Sequence, residues 1–349
     1  MKFAFQTAAA LSVLLLASAC SPEKKAEAPA AEAPAAAVAA AGTSIERLDP
    51  ALDAIIAPGA VLEPVTSGYK FVEGPAWIKG ELWFSDLQGN KLFAVGADGK
   101  VRELLDKSGG LDSFPEGQFR GSNGLAVDKD GSVLMTQHGA RRIVKLGADM
   151  KPVLYLNKID GKNLNSPNDI VFHPDGSLWI TDPPYGLPGQ DKDPGHEAPN
   201  NAVYRYANGV LKAVITDLPR PNGIGFSPDG KTLYISNSEP EMFVNSYAVN
   251  ADGTVGPAKR FMTFPGPNPI DVPDGLKTDS KGNIWASGPG GIRIITPEGK
   301  VLGQLKSPDR AQANLAWGGP DLKTAYIMAA GNVYKLKVLI PGTKPLYTN

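Results

Sequence analysis

The stretch NDIVFHPDGSLWITD, Asn168–Asp182, is built as two short strands around a turn. A polar residue opens it, an apolar run follows, Pro-Asp-Gly turns the chain, and a β-branched and aromatic run closes it. Asp-Gly supplies the positive φ that a tight hairpin needs. Short runs of this composition between turn residues read as strands. The plan returns as EGPAWIKGELWFSD from Glu73, NGLAVDKDGSVLMTQ from Asn123, NGIGFSPDGKTLYISN from Asn222, DGLKTDSKGNIWAS from Asp274 and NLAWGGPDLKTAYIMA from Asn314. The starts at 73, 123, 168, 222, 274 and 314 are 50, 45, 54, 52 and 40 residues apart. A period of this length with strand signals in every unit predicts a propeller, and six units predict six blades.

Further strand-like runs lie between the copies: NKLFAV, RRIVKL, AVYRYA, NSYAV and GIRIIT. Most precede a second turn such as GADGK, VNADGT or TPEGK. Each unit thus has room for four strands, one blade, and the expected fold is an all-β, six-bladed β-propeller. VLEPVTSGYKF before the first repeat and NVYKLKV after the sixth are expected to pair in one blade, closing the ring and removing open edges.

The register of the repeat points to a site. The opening polar residue stands eight positions before the turn glycine in Asn123/Gly131, Asn168/Gly176, Asn222/Gly230 and Asp274/Gly282, with Glu73/Gly80 one shorter. The first strand of a propeller blade lines the central channel. Glu73, Asn123, Asn168, Asn222, Asp274 and Asn314 are therefore expected to form a ring of side-chain oxygens at one mouth. Two carboxylates and several carboxamides on one point suit a hard cation such as Ca²⁺. The competing reading is that Asn and Asp beside Gly form Asx-turns that start a strand. That reading leaves unexplained why Glu73 and Asp274 bring two negative charges into one channel.

The chain has 349 residues and a formal net charge of −1, which excludes a nucleic-acid footprint. Met1–Ala19 reads as a signal peptide with the apolar run LSVLLLA, too short for a transmembrane helix. Cys20 is the single cysteine, so no disulfide framework exists. Directly after Ser18-Ala19, it reads as the lipidated first residue of a lipoprotein, the alternative being ordinary cleavage elsewhere. Ser21 in the next position favours the periplasmic face of the outer membrane over inner-membrane retention; without lipidation the protein would be soluble in the periplasm. Residues 20–47, rich in Ala, Pro and Glu, read as a tether with nothing to pack, and 48–349 as the propeller, expected as a monomer.

EGPAW, NSPNDIVFHPDGSLWITDPPYG, PNGIGFSPDGKTLYISNS and PDGLKTDSKGNIW resemble the motifs of the gluconolactonase/regucalcin family of six-bladed propellers. SNGLAVDKDGSVLMTQHGARRI is similar to its bacterial gluconolactonase branch. The resemblance covers about residues 50–338, in the family's motif order. It implies one divalent cation, most often Ca²⁺ with Mn²⁺, Mg²⁺ and Zn²⁺ as alternatives, and hydrolysis of a small-molecule lactone such as glucono-1,5-lactone. It implies Glu73, Asn222 and Asp274 as metal ligands and Asn168 as a ligand or substrate contact. The metal-facing His that some relatives carry in the last blade has no counterpart here, and Asn314 stands at the nearest position. Asp274, or a second carboxylate, is expected to take a proton from the attacking water. A phosphotriesterase or other esterase on the same ring, and a non-catalytic envelope platform, stay open beside this reading.

Two segments break the rhythm. DPPYGLPGQDKDPGHEAPNN, Asp182–Asn201, is too long for an ordinary hairpin and is expected at the channel mouth, with Tyr185 and Leu187 forming a pocket wall. LDSFPEGQFRGS, Leu111–Ser122, is a second expected lid, with Arg120 placed to meet substrate. Asn123 and Asn314 read as substrate contacts or turn caps. His138 reads either as a channel-facing group or as a polar blade residue. His173 and His196 read as turn and loop residues, and Trp83, Trp179 and Trp285 as blade core.

Overall fold

The computed structural model describes residues 39–266 and 271–348. The expected signal peptide, Cys20 and the tether up to residue 38 lie outside the described residues. Six antiparallel sheets of four or five strands form the blades, and a two-stranded pair, Lys158–Ile159 with Lys162–Asn163, stands apart. The innermost strands are Val72–Ile78, Ser122–Val127, Ile170–Phe172, Pro221–Phe226, Leu276–Thr278 and Gln312–Gly318. Each touches the next around the channel and the sixth returns to the first, so the ring is closed. We number the blades one to six in that order. Every repeat identified in the sequence forms the first two strands of a blade.

The ring closes as the terminal sequences suggest. Glu63–Ser67 pairs antiparallel with Asn332–Lys337 and completes blade six from the opposite end of the domain. Ser44–Arg47, at the end of the expected tether, is a fifth strand on blade five, paired with Val301–Lys306. SIER carries few strand formers, so the free edge of blade five, rather than local propensity, supplies its conformation. A 3-10 turn, Pro50–Ala54, follows and buries Leu52 against blades five and six.

The apolar core is distributed around the ring. Six clusters of buried side chains occupy the six interfaces between neighbouring blades. Trp83 fills the interface of blades one and two, Trp179 that of three and four, and Trp285 that of five and six. The period-two alternation of each strand sends one residue set into each face, so every sheet is covered on both sides.

The chain end crosses the channel at the mouth opposite the expected polar ring. Thr343 donates its N–H to the Thr278 carbonyl, Gly342 to Leu322 and Ser280 to Pro341. Gly342 lies flat on Trp317, where an added Cβ would stand 1.8 Å from the indole Cγ. Tyr347 packs edge-on against Phe172 of blade three, with ring centroids 4.9 Å apart. Deleting residues 339–349 removes these contacts from three blades. We expect a melting temperature at least about 4 °C lower, corresponding to about 2 kcal/mol in a domain of this size. An unchanged transition by differential scanning calorimetry would show that the tail stabilises nothing.

Candidate active and cation site

In four of the six blades the backbone is irregular where the opening polar residue stands. In blades one, two, four and six the register with the second strand shifts at the start of the innermost strand, between Glu73 and Ala76, Ser122 and Leu125, Pro221 and Ile224, and Gln312 and Asn314. Such bulges free a residue from ladder pairing and redirect its side chain. The glycine after the polar residue has a steric reason. A Cβ on Gly74 would lie 1.9 Å from the Asn123 carbonyl oxygen, and one on Gly223 would lie 2.2 Å from that of Asp274. The innermost strands therefore approach each other more closely than any side chain allows.

Hydroxyls stitch this ring together. Ser85 Oγ donates to the Asn123 carbonyl at 3.0 Å and Thr136 Oγ1 to that of Asn168 at 2.9 Å. Ser236 Oγ donates to Asp274 at 2.6 Å and Ser287 Oγ to Ala313 at 3.0 Å. Each bond runs from the end of one second strand to the entry of the next blade. The neighbouring residue ties down its own blade. Asp86 accepts the N–H of Lys70 and Phe71, Asp182 those of Asn165 and Ser166, and Asn237 that of Arg220. The sequence reading missed this device, although its signal stands there as FSD, MTQ, ITD and ISN at one repeat position.

The ring faces a cavity of about 660 Å³ lined by Glu73, Asn123, Asn168, Asn222 and Asp274. Glu73 Oε1 and the Oδ1 atoms of Asn123, Asn168 and Asn222 are buried there without a protein partner. Their other atoms are held. Glu73 Oε2 accepts the Gly74 N–H at 2.5 Å and the Asn314 Nδ2 at 3.0 Å, and Asn222 Nδ2 donates to Ser238 Oγ at 3.0 Å. Asn314 does not line the cavity; it supports Glu73 from below and accepts the Lys277 ammonium at 3.3 Å. Lys277 in turn pairs with the buried Asp169 at 2.9 Å.

Burial, together with the facing Glu73 carboxylate and Asp169, pushes the Asp274 carboxyl well above its ordinary range. Burial likewise raises Glu73, against the hydrogen bonds from Gly74 and Asn314. Were Glu73, Asp274 and Asp169 all ionised, Lys277 alone would leave two negative charges at the channel floor, and burial and mutual repulsion disfavour that in the absence of a further cation. Among the described residues no three His, Cys, Asp or Glu side chains converge as a metal cluster. The convergent set consists of two carboxylates and carboxamides. Unpaired buried oxygens around two uncompensated charges fit an oxygen-loving divalent cation.

The other expected site residues divide. Tyr185 lines the cavity and shares a hydrogen bond with Ser238. Leu187 is buried away from the cavity, and the 3-10 turn Gln190–Lys192 contributes Gln190 to the wall instead. Arg120 is also off the wall: its Nε donates to the Gly186 carbonyl at 3.1 Å and braces the long loop. From the second expected lid, Phe119 lines the cavity, edge-on to Phe71 with ring centroids 5.1 Å apart. His138 lines it as well. His173 bonds the Gly230 carbonyl and His196 the Asn201 side chain, both away from the ring.

Known proteins resemble this chain in sequence and fold. A family described as the SMP-30/Gluconolactonase/LRE-like region matches residues 71–331. A gluconolactonase of Zymomonas mobilis is 34% identical over 309 residues, 84% of this chain and 85% of that protein. The structure of a gluconolactonase of Xanthomonas campestris aligns with a TM-score of 0.74 at 29% identity, over 87% of this chain and 97% of that one. A regucalcin of Agrobacterium tumefaciens, described as calcium-binding, shares the fold with a TM-score of 0.62 at 21% identity, over 82% and 96% of the two chains.

The stitching hydroxyls have a measurable weight. Ser236 Oγ accepts the Gly223 N–H at 2.7 Å while donating to the Asp274 carbonyl. Ser236→Ala leaves both groups buried and unpaired, which costs about 1–3 kcal/mol. We expect that loss in urea unfolding at an unchanged m-value, and a stability equal to wild type would refute the stitch.

Proposed function

The chain belongs to the SMP-30/Gluconolactonase/LRE-like family, and on that premise we propose that it is a lactone hydrolase that opens a sugar lactone such as glucono-1,5-lactone with a divalent cation held in the channel mouth. The supporting observation is the set of unpaired buried oxygens beside two carboxylates on one cavity. Glu73, Asn168, Asn222 and Asp274 would hold the cation. All-oxygen ligation favours Ca²⁺, with Mn²⁺ and Mg²⁺ next and Zn²⁺ least suited. Such a cation supplies Lewis acidity at a carbonyl oxygen.

The chain's own residues do the rest. Glu73 is clamped through Oε2 and presents Oε1 alone. Asn222 is clamped through Nδ2 and presents Oδ1. Asp274 accepts a proton from the water that attacks the lactone carbonyl carbon. The ring C–O bond breaks, its oxygen takes up a proton, and a hydroxy acid leaves. Asn123, on the neighbouring blade, offers a further free oxygen to the substrate. Tyr185, Phe71, Phe119 and Met242 form walls that keep bulk water from the reacting carbonyl. The cavity volume suits a single sugar ring.

The deciding assay follows proton release from glucono-1,5-lactone, above spontaneous hydrolysis, with Ca²⁺ and after EDTA. We expect turnover that EDTA abolishes and Ca²⁺ restores, loss of at least about a hundredfold in Asp274→Ala, and a Ca²⁺-dependent rise in melting temperature that Glu73→Gln diminishes. Full activity in Asp274→Ala removes its role as base. Activity on organophosphates alone selects the esterase reading. Neither turnover nor Ca²⁺ stabilisation selects a binding platform.

We also propose that residues 1–19 direct export and that lipidated Cys20 anchors the domain to the periplasmic face of the outer membrane; the motif LASAC supports this. The exported full-length chain should enter the detergent phase of a Triton X-114 separation, and Cys20→Ser the aqueous phase. Identical partitioning of the two would discount the anchor.

A further inference from the structure

In blades one to four, three register positions close the second strand: a hydroxyl residue, a polar tether, and a third residue just beyond. In blades one, two and four the third residue is Leu87, His138 and Ser238, and all three line the cavity. The first two positions serve the fold, as described above. The third faces the ligand space, and its chemistry differs from blade to blade. Ser238 there positions Asn222 and Tyr185, and Leu87 is an apolar wall.

His138 has no such structural task. It is 1% exposed, and neither Nδ1 nor Nε2 has a protein hydrogen-bond partner. The chain has three histidines, and the other two are paired. Its backbone is fixed: the N–H donates to the Gly121 carbonyl at 3.0 Å, and its carbonyl accepts from Arg141 at 3.3 Å. Its ring is fixed as well. Gly186 of the long loop passes so close that an added Cβ would lie 2.6 Å from His138 Cδ2. Arg120 holds that loop segment through the Gly186 carbonyl. Two loops thus clamp an imidazole whose polar atoms are left unspent, at a site where an unpaired buried donor or acceptor is costly.

We infer that His138 is a specificity-determining residue that hydrogen-bonds a ring hydroxyl of a polyhydroxylated lactone. A neutral imidazole carries one N–H and one lone pair, and a sugar hydroxyl can answer either. Burial and the nearby Arg120 guanidinium hold His138 down at about 3, against the Pro167 carbonyl, which lies close enough to the ring to favour protonation. The ring therefore remains neutral throughout the neutral range and takes no part in proton transfer. A site that pairs a substrate hydroxyl with a buried polar group rejects the analogue that lacks it. This inference rests on the proposed lactonase reading and names the class of lactone: hydroxylated rings rather than plain aliphatic ones.

The test compares glucono-1,5-lactone with unsubstituted δ-valerolactone as substrates, and gluconolactam with δ-valerolactam as unhydrolysed ligands in calorimetric titration. The proteins are wild type, His138→Phe and His138→Gln. We expect His138→Phe to raise KM for gluconolactone and weaken gluconolactam binding at least tenfold. KM and kcat for δ-valerolactone should stay within twofold. His138→Gln should regain part of the loss, and His138→Phe should melt no lower than wild type, because it deletes unpaired polar atoms. Wild type that binds gluconolactam without hydrolysing either lactone, with His138→Phe losing that binding, overturns the reaction and keeps the contact. Active wild type with equal losses on both lactones, or none, overturns the contact and keeps the reaction. A His138→Phe chain that does not fold, with His138→Gln folded and unchanged on every ligand, assigns His138 to the fold and overturns the inference. Wild type that neither binds nor hydrolyses overturns both.

Discussion

One hydroxyl per joint holds most of this ring in place. Ser85, Thr136, Ser236 and Ser287 each donate across a blade boundary to a carbonyl at or beside the next blade's channel residue. The bond fixes the backbone of the very residue whose side chain points into the cavity. Each contributes about 1 kcal/mol net, and more is lost when one is removed and its partner stays buried. Side-chain position follows from backbone position because bulges and glycines bring these strands close enough to interlock. Apolar wedges between blades set the spacing, and the hydroxyls set the angle at which the polar groups converge.

That convergence carries an electrostatic cost. Glu73, Asp274 and Asp169 share the channel floor with one ammonium, Lys277. Lys277 pairs with Asp169 directly, and its hydrogen-bonded path to Glu73 runs through Asn314. The carboxyl pair is thus left short of two positive charges, and unpaired charge in a buried place is unstable. The fold holds the ring in place through one end of its side chains, Glu73 by Oε2 and Asn222 by Nδ2. What is left unengaged is concentrated where a ligand can answer it, the usual place for such local departures from consistency.

The architecture was legible because a propeller writes itself as a period. The Asx/Glu-to-turn register, repeated six times, marked both the strands and the channel side. The ring of Glu73, Asn123, Asn168, Asn222 and Asp274 at the cavity follows from that register alone. The stitching hydroxyls were equally periodic but chemically unremarked, since Ser and Thr are ordinary strand residues. Other features depend on contacts far apart in sequence. Arg120 and Gly186 meet across 66 positions, and Asn314 and Glu73 across 241. No local pattern distinguishes an arginine that greets a substrate from one that braces a loop. Ser44–Arg47 became a strand only because blade five offered an edge.

The two mouths of the channel are unequal, and this decides where specificity can reside. Residues Thr343–Tyr347 line the far end together with the innermost strands of all six blades, enclosing about 240 Å³ of largely apolar space. The free oxygens of Glu73, Asn123, Asn168 and Asn222 face the near cavity. A ligand therefore meets the ring from one side, and meets first the residues at the ends of the second strands. There the repeat separates its duties by register. In blades one to four the hydroxyl and tether positions keep one chemistry, Ser85-Asp86, Thr136-Gln137, Thr181-Asp182 and Ser236-Asn237. The position after them holds leucine, histidine and serine in blades one, two and four, and only Ser238 among these also bonds the next blade, through the Pro273 carbonyl at 2.7 Å. A propeller built this way changes its ligand by substitutions at that third position and in the loop that follows it, without disturbing the joints that make it a ring.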